Sequence, residues 1–276
     1  MPTGCFARVN IFCSVLENMA RIITITTDFG EVYPGIMKGI IAGVTPEARV
    51  IDITNALPPG DVVRGAFVLR YASAYFPPGT THLAVIDPGV GSGRRALVIR
   101  GERYDFVGPD NGLLIPAARA QGSFKAYEIT ALDFFTKRVS PVFHGRDVFA
   151  PAAALLASGK TVPGLREIDD PVSIDFGKPE VGDGPVSGRV IYVDDFGNVV
   201  TNIEGDVLQG LCHPGETLDV NGWPARFVRT YFEGKEGELM VLIGSHGMTE
   251  IAYKGGSAAA MAGLAGHADV VIAAKR

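Results

Sequence analysis

Apolar residues in the first half of the chain come in short continuous runs: Arg21–Thr27 (RIITITT), Ala48–Ile53, Thr81–Asp87, Ala96–Arg100 and Tyr104–Val107. Runs that are apolar without alternation predict strands buried on both faces, as in a sheet covered by helices on each side. Between them, Asp61–Phe76, Asn111–Ala120 and Asp147–Ser158 (DVFAPAAALLAS) read as helices. Gly159 stops the last of these, because glycine adopts the left-handed C-terminal conformation without strain. This alternation predicts an α/β layered domain over residues 21–164.

The texture changes after about residue 160. Residues 161–187 are rich in proline, glycine and aspartate and show no sustained period, so 165–187 reads as a linker with one short strand at most. Short strands with turn chemistry fill 188–276. GRVIYVDDFGNVVTNI folds back around Asp195–Asn198, and ETLDVNGWPARFVRTYF carries Asn221-Gly222, a strong hairpin signal. With LMVLIGSHGMTEIAYK and ADVVIAAK, this half is expected to be all-β, a small barrel. The first twenty residues hold one arginine, an interrupted apolar stretch and no clear cleavage site, so they read as an extension ahead of Met19 rather than a signal peptide. No stretch is apolar for the length a membrane span requires.

Composition narrows the function classes. A length of 276 residues favours two domains, and 47% hydrophobic with 20% charged residues is ordinary for a soluble globular protein. A formal charge of −5 and the lack of any basic run argue against a nucleic-acid partner. Cys5, Cys13 and Cys212 are scattered, so neither a zinc site nor a disulfide framework follows, and a reducing, cytoplasmic location is expected.

Four polar clusters interrupt or end the apolar elements. TTDFG (Thr26–Gly30) places Asp28 at the end of the opening strand, either for a ligand or as a turn-forming acid. DPGVGSGRR delivers Asp87 into a glycine-rich turn at the strand edge where α/β sheets bind ligands. Arg94, seven residues on, is placed to keep that carboxylate ionised and oriented. The turn is not a P-loop, since no Gly-Lys-Ser/Thr follows, and a strand rather than a helix comes after the glycines. FHGRD sets His144 just ahead of a helix N-terminus, whose positive end favours a neutral imidazole able to accept a proton. Asp147 reads as the helix cap or a first-turn acid. DDFGNVVTN offers Phe196 and Asn198 at a tight turn, suited to a planar base and equally to an ordinary hairpin. His82, His213, His246 and His267 stand alone, with none at metal-ligand spacing.

With GPDNG (108–112) and GSHGMTEIAYKGGSAA (244–259), these clusters in this order resemble the S-adenosyl-L-methionine (SAM) hydroxide adenosyltransferase family, relatives of the SAM-dependent fluorinase and chlorinase, from about Arg21 to Ile272. The resemblance implies an α/β/α N-terminal domain, a small C-terminal β-barrel and a homotrimer with sites between subunits. It implies hydrolysis of SAM by water or hydroxide attack at ribose C5′, giving adenosine and L-methionine, with SAM as substrate and no cofactor or metal. The catalytic set it implies is Asp87, Arg94 and His144, Arg94 matching the family spacing better than Arg95. Asp28 resembles the acceptor for the ribose hydroxyls, Phe196 and Asn198 the adenine contacts, and Asp194 and Ser245 the residues holding the methionine amine and carboxylate.

The chain departs from the halogenase pattern where the nucleophile sits. Asp87 stands where those enzymes carry a tyrosine, Gly145 where they carry a halide-contacting serine, and Val90 where they carry a threonine; their long insertion after this turn is absent. A carboxylate beside C5′ repels chloride or fluoride and accepts a hydrogen bond from water. Hydrolysis is therefore favoured over halogenation. Two further readings are a metal-dependent hydrolase, with Asp28, Asp87 and His144 around a cation, and a SAM- or adenosine-binding sensor with incidental turnover.

Overall fold

The computed structural model describes residues 21–182 and 184–275; the extension expected over residues 1–20 lies outside them. The chain divides into two compact units, one ending at Ile174 and the other beginning at Asp175.

The first unit is built on a seven-stranded sheet of β1 (Ile22–Thr27), β2 (Arg49–Thr54), β3 (Thr81–Val85), β4 (Ala96–Gly101), β5 (Asp105–Pro109), β6 (Phe124–Ile129) and β7 (Leu165–Ile168). Their order is β2-β1-β3-β5-β4-β6-β7. The pairs joining β2, β1, β3 and β5 are parallel, and those joining β5, β4, β6 and β7 antiparallel. Helices α1 (Val32–Val44) and α4 (Ala150–Ala157) pack together, as do α2 (Val62–Ser73) and α3 (Ile115–Ala120). Ile23, Ile25, Leu83 and Val85 point to the α1/α4 side, joining Met37, Ile41 and Ala153 in one buried cluster. On the other face, Gly65 of α2 lies so close that a Cβ there would stand 2.7 Å from the Ile86 side chain. Both faces of the sheet are covered, which is why its strands lack alternation.

Three local expectations are corrected. Leu165–Ile168, assigned to the linker, is the edge strand β7 on β6, and a second short strand, β8 (Glu180–Val181), lies in the same stretch. Both are largely exposed edge segments, so neither carries an apolar run. The helix expected from Asn111 starts only at Ile115, because Gly112 takes φ +95° and the Asn111 side chain accepts from the Leu113 N–H at 3.3 Å. The helix expected from Asp147 opens earlier, with a π turn over Gly145–Phe149 in which the Ala150 N–H reaches the Gly145 carbonyl. Pro151 has no N–H to give the Asp147 carbonyl and crowds it, and the wider turn accommodates that.

In the second unit, β9 (Val186–Val193), β10 (Val199–Glu204), β11 (Thr217–Val220), β12 (Trp223–Phe227), β13 (Leu239–Ile243), β14 (Met248–Tyr253) and β15 (Asp269–Ala274) follow the order β10-β14-β13-β12-β11-β15-β9. Pairing of β9 with β10 closes a seven-stranded barrel, and β8 attaches outside it. Closure removes exposed strand edges, and Val190, Leu218, Phe227, Val241 and Ile272 fill the interior. Asn221 and Gly222 take φ of 50° and 89° between β11 and β12, the hairpin read from their sequence.

One buried group is expected to make the first unit acid-sensitive. His82 on β3 is fully buried, its Nδ1 2.7 Å from the Thr24 hydroxyl and its ring stacked on Phe106. Burial pushes its pKa down to about 3. The neutral ring is at home above the unfolded value of about 6.5, and stability is lost as pH falls from there toward the folded value, by about 1.4 kcal/mol per unit. A Thr24→Val/His82→Phe double variant removes both polar partners. Its unfolding free energy from urea titration is expected to fall less than that of wild type between neutral pH and about pH 4.5, by a margin of about 2–3 kcal/mol. An unchanged difference between the two pH values would remove His82 as the cause.

Candidate active site

The chain runs from β1 to β2 on one side and from β3 toward β4 on the other, so the crevice at the carboxyl ends of the adjacent strands β1 and β3 is the topological switch point. Thr27 pairs with Val85, so Asp28 and, slightly beyond, Asp87 emerge side by side at that edge. They line one cavity of about 510 Å³ with Phe29, Tyr33, Pro59, Gly60 and Pro88. One Asp28 oxygen accepts from the Gly60 N–H at 2.8 Å.

Asp87 and Arg94 form a buried, bidentate pair. Arg94 Nε donates to the two carboxylate oxygens at 3.0 and 3.1 Å, and Nη2 donates to Oδ2 as well. The side chains are only 4% and 10% exposed. The same Nη2 donates to His144 Nδ1 at 2.9 Å, and the guanidinium lies 5.1 Å from the centre of the Phe149 ring. Gly91 takes φ +79°, and a Cβ there would lie 2.5 Å from the Pro141 carbonyl, so only glycine lets the turn pack against the segment leading to His144.

His144 precedes the π turn as expected and is buried. Burial holds its pKa below the ordinary value, Arg94 adds to that, and Asp87 and Asp147 oppose it. The ring is therefore neutral near pH 7. A guanidinium only donates, so Nδ1 is the acceptor and the ring proton sits on Nε2. In this tautomer Nδ1 is occupied by Arg94 and Nε2 is a donor. Asp147 is a first-turn acid without a capping role: it accepts from the Ser140 N–H at 2.8 Å and from Arg146 at 2.6 Å. Arg95 donates to Asp110 at 2.6 Å and to Asp170 at 2.7 Å, leaving Asp87 to Arg94.

In the barrel unit, Asp194, Phe196 and Asn198 line a second cavity, of about 570 Å³, with Tyr231, Met240, Tyr253 and Lys254. Asp194 builds the turn: Oδ1 accepts the N–H groups of Phe196 and Asn198 at 2.9 and 2.8 Å, and Oδ2 accepts from the Asn198 amide at 2.9 Å. The Phe196 ring is 82% exposed, open to stack on a ligand.

The N-terminal domain model of SAM hydroxide adenosyltransferases matches residues 23–166, and the C-terminal domain model matches residues 188–271. The chain belongs to the SAM hydroxide adenosyltransferase family. It is similar to (R)-S-adenosyl-L-methionine hydrolase of Salinispora tropica, 41% identical over 88% of this chain and 94% of that one. The like-named protein of Salinispora arenicola is 41% identical over 86% of this chain and 92% of its own length. A crystal structure of an uncharacterized conserved protein from Thermotoga maritima superposes with a TM-score of 0.84 at 34% identity, covering 91% of this chain and 99% of that one.

In this member of the family, Ser245 sits exposed on the β13–β14 turn and is not among the residues lining the Phe196 cavity. Tyr231 is there instead, and sequence reasoning missed it. Its hydroxyl donates to the buried Glu250, and burial together with that carboxylate pushes its pKa up. Phe29, Tyr33 and Phe143 were missed as a group, although two of them belong to the motifs TTDFG and FHGRD. Their rings meet edge to face at 5.3–6.1 Å beside Asp28. A Cβ at Gly145 would stand 3.1 Å from Phe29 and 3.3 Å from Phe143, so this glycine lets the rings close on the helix start. Among the described residues, no three histidine, cysteine, aspartate or glutamate side chains group as metal ligands.

Proposed function

We propose that this chain hydrolyses SAM to adenosine and L-methionine by attack of water at ribose C5′. The observation that carries the reading is the buried Asp87–Arg94–His144 cluster, whose Asp87 lines a switch-point crevice together with Asp28. The sulfonium makes C5′ electrophilic and leaves as a neutral thioether, so the reaction needs no general acid. It needs a held, polarised water in line with the C5′–S bond. Asp87 accepts a hydrogen bond from that water, Arg94 fixes both carboxylate oxygens, and His144 Nε2–H donates to the water oxygen. As the C–O bond forms, sulfur takes the C–S electron pair and the water proton passes to Asp87. Of the three, only Asp87, which lines the cavity, offers the water an acceptor, since Arg94 only donates and His144 carries its proton on Nε2. A buried carboxylate at this position also disfavours a halide nucleophile.

In the same reading Asp28 accepts the ribose hydroxyls, Phe196 stacks on adenine, Asn198 bonds its edge, and Asp194, with Ser245 from the β13–β14 turn outside the Phe196 cavity, holds the methionine amine and carboxylate. The ribose acid lines one cavity and the exposed ring another, and the homotrimer would bring such halves together across subunits. A cytoplasmic location fits the buried free thiol of Cys212.

The test is to incubate the purified protein with SAM, with and without chloride and with excess EDTA, and separate the products by chromatography. Equal amounts of adenosine and methionine over many turnovers are expected in every arm. No adenosine, or a chloride-dependent 5′-halo product, would overturn hydrolysis; loss of activity in EDTA would point to a metal-dependent reaction; a single turnover with retained adenosine would favour a sensor.

A further inference from the structure

The motif GPDNG ends β5, and the contacts of its polar residues go beyond delaying the helix that follows. Asp110 is 6% exposed and spends its carboxylate on two neighbours: Oδ2 accepts from Arg95 Nε at 2.6 Å and Oδ1 from the Val172 N–H at 2.7 Å. Its own N–H donates to the Arg95 carbonyl at 3.0 Å, and Arg94 Nη1 reaches that same carbonyl at 3.4 Å. Asn111 donates from Nδ2 to the Ile86 carbonyl at 2.8 Å, the peptide leading into Asp87, and its Oδ1 accepts from the Leu113 N–H at 3.3 Å. One dipeptide therefore grips both flanks of the 87–94 turn, at residue 86 before the carboxylate and at residue 95 after the guanidinium. The turn between them is glycine-rich, with Gly89, Gly91 and Gly93, and has little stiffness of its own.

We infer that Asp110 and Asn111 are positioning residues for the reaction: they hold the Asp87–Arg94 pair at the angle the attacking water needs. Asn111 sets the peptide from which the carboxylate projects. Asp110 holds Arg95 outward, so that one arginine of the adjacent pair meets Asp87. Neither side chain touches substrate. The inference rests on the reading of Asp87 as the water-holding group.

Asn111→Asp keeps the acceptor for Leu113 and removes the donor to Ile86; Asp110→Asn weakens the hold on Arg95 and keeps an acceptor for Val172. Each is expected to lower kcat for SAM about tenfold or more, while KM and adenosine affinity stay within about threefold. In an Asp87→Ala background, Asn111→Asp should not lower the residual turnover further, because its effect runs through Asp87. A purely structural residue would instead reduce both backgrounds alike. If Asp87→Ala itself retains turnover, the catalytic reading fails. If Asp87→Ala is inactive while a folded variant at 110 or 111 keeps wild-type kcat, this inference alone fails. Loss of folding in both variants also overturns it, since the residues would then serve stability.

Discussion

Replacing Asp87 with alanine is expected to lower SAM turnover by about 10²–10⁴-fold, the range lost when a positioned acid–base group is removed. Adenosine should still bind, because Asp28 and the aromatic wall of the cavity are untouched. The separation of the two effects follows from the geometry. Asp28 is anchored independently through Gly60, whereas Asp87 is tied to Arg94 and through it to His144. Asp87→Asn is the stricter version, since it keeps the side-chain shape and removes the charge. Its amide places a donor against Arg94, which has only donors, so turnover should fall to a similar extent. Single-turnover chromatography for chemistry and calorimetry for adenosine give the two readings. Near-wild-type turnover in either variant would take Asp87 out of the chemistry.

Much of this arrangement was legible in the sequence because strands deliver charge in a readable way. RIITITTD and THLAVID are apolar runs that end in a carboxylate, and parallel neighbours bring such ends to one edge. The hairpin at Asn221-Gly222 was legible because positive φ restricts residue choice. What escaped reading lacked a local signal. The edge strand Leu165–Ile168 is largely exposed and flanked by proline and glycine, so neither period nor run marks it. Tyr231 takes its place from Glu250, a contact made across nineteen positions of sequence. The histidine tautomer depends on which nitrogen Arg94 reaches, a fact of packing alone. Motif recognition supplied the proposed catalytic set; the order of hydrogen bonds within it required coordinates.

Arg94 carries the second large effect, and here charge and shape separate. Its guanidinium serves both Asp87 oxygens and His144 Nδ1 while lying over Phe149. Arg94→Gln removes the counter-charge from a carboxylate that is 4% exposed, and breaking a buried pair in this way costs about 3–5 kcal/mol. A fall of that size in urea stability, with turnover lost as well, is expected. Arg94→Lys keeps the charge but offers a compact ammonium that cannot span two carboxylate oxygens and an imidazole in one plane. Stability should then be largely recovered while kcat stays depressed by about 10²-fold, because the carboxylate is neutralised without being aimed. The two variants therefore divide the role of Arg94 into compensation and orientation. Full activity in Arg94→Lys would show that a positive charge suffices, and wild-type stability in Arg94→Gln would show that burial of Asp87 does not depend on its partner.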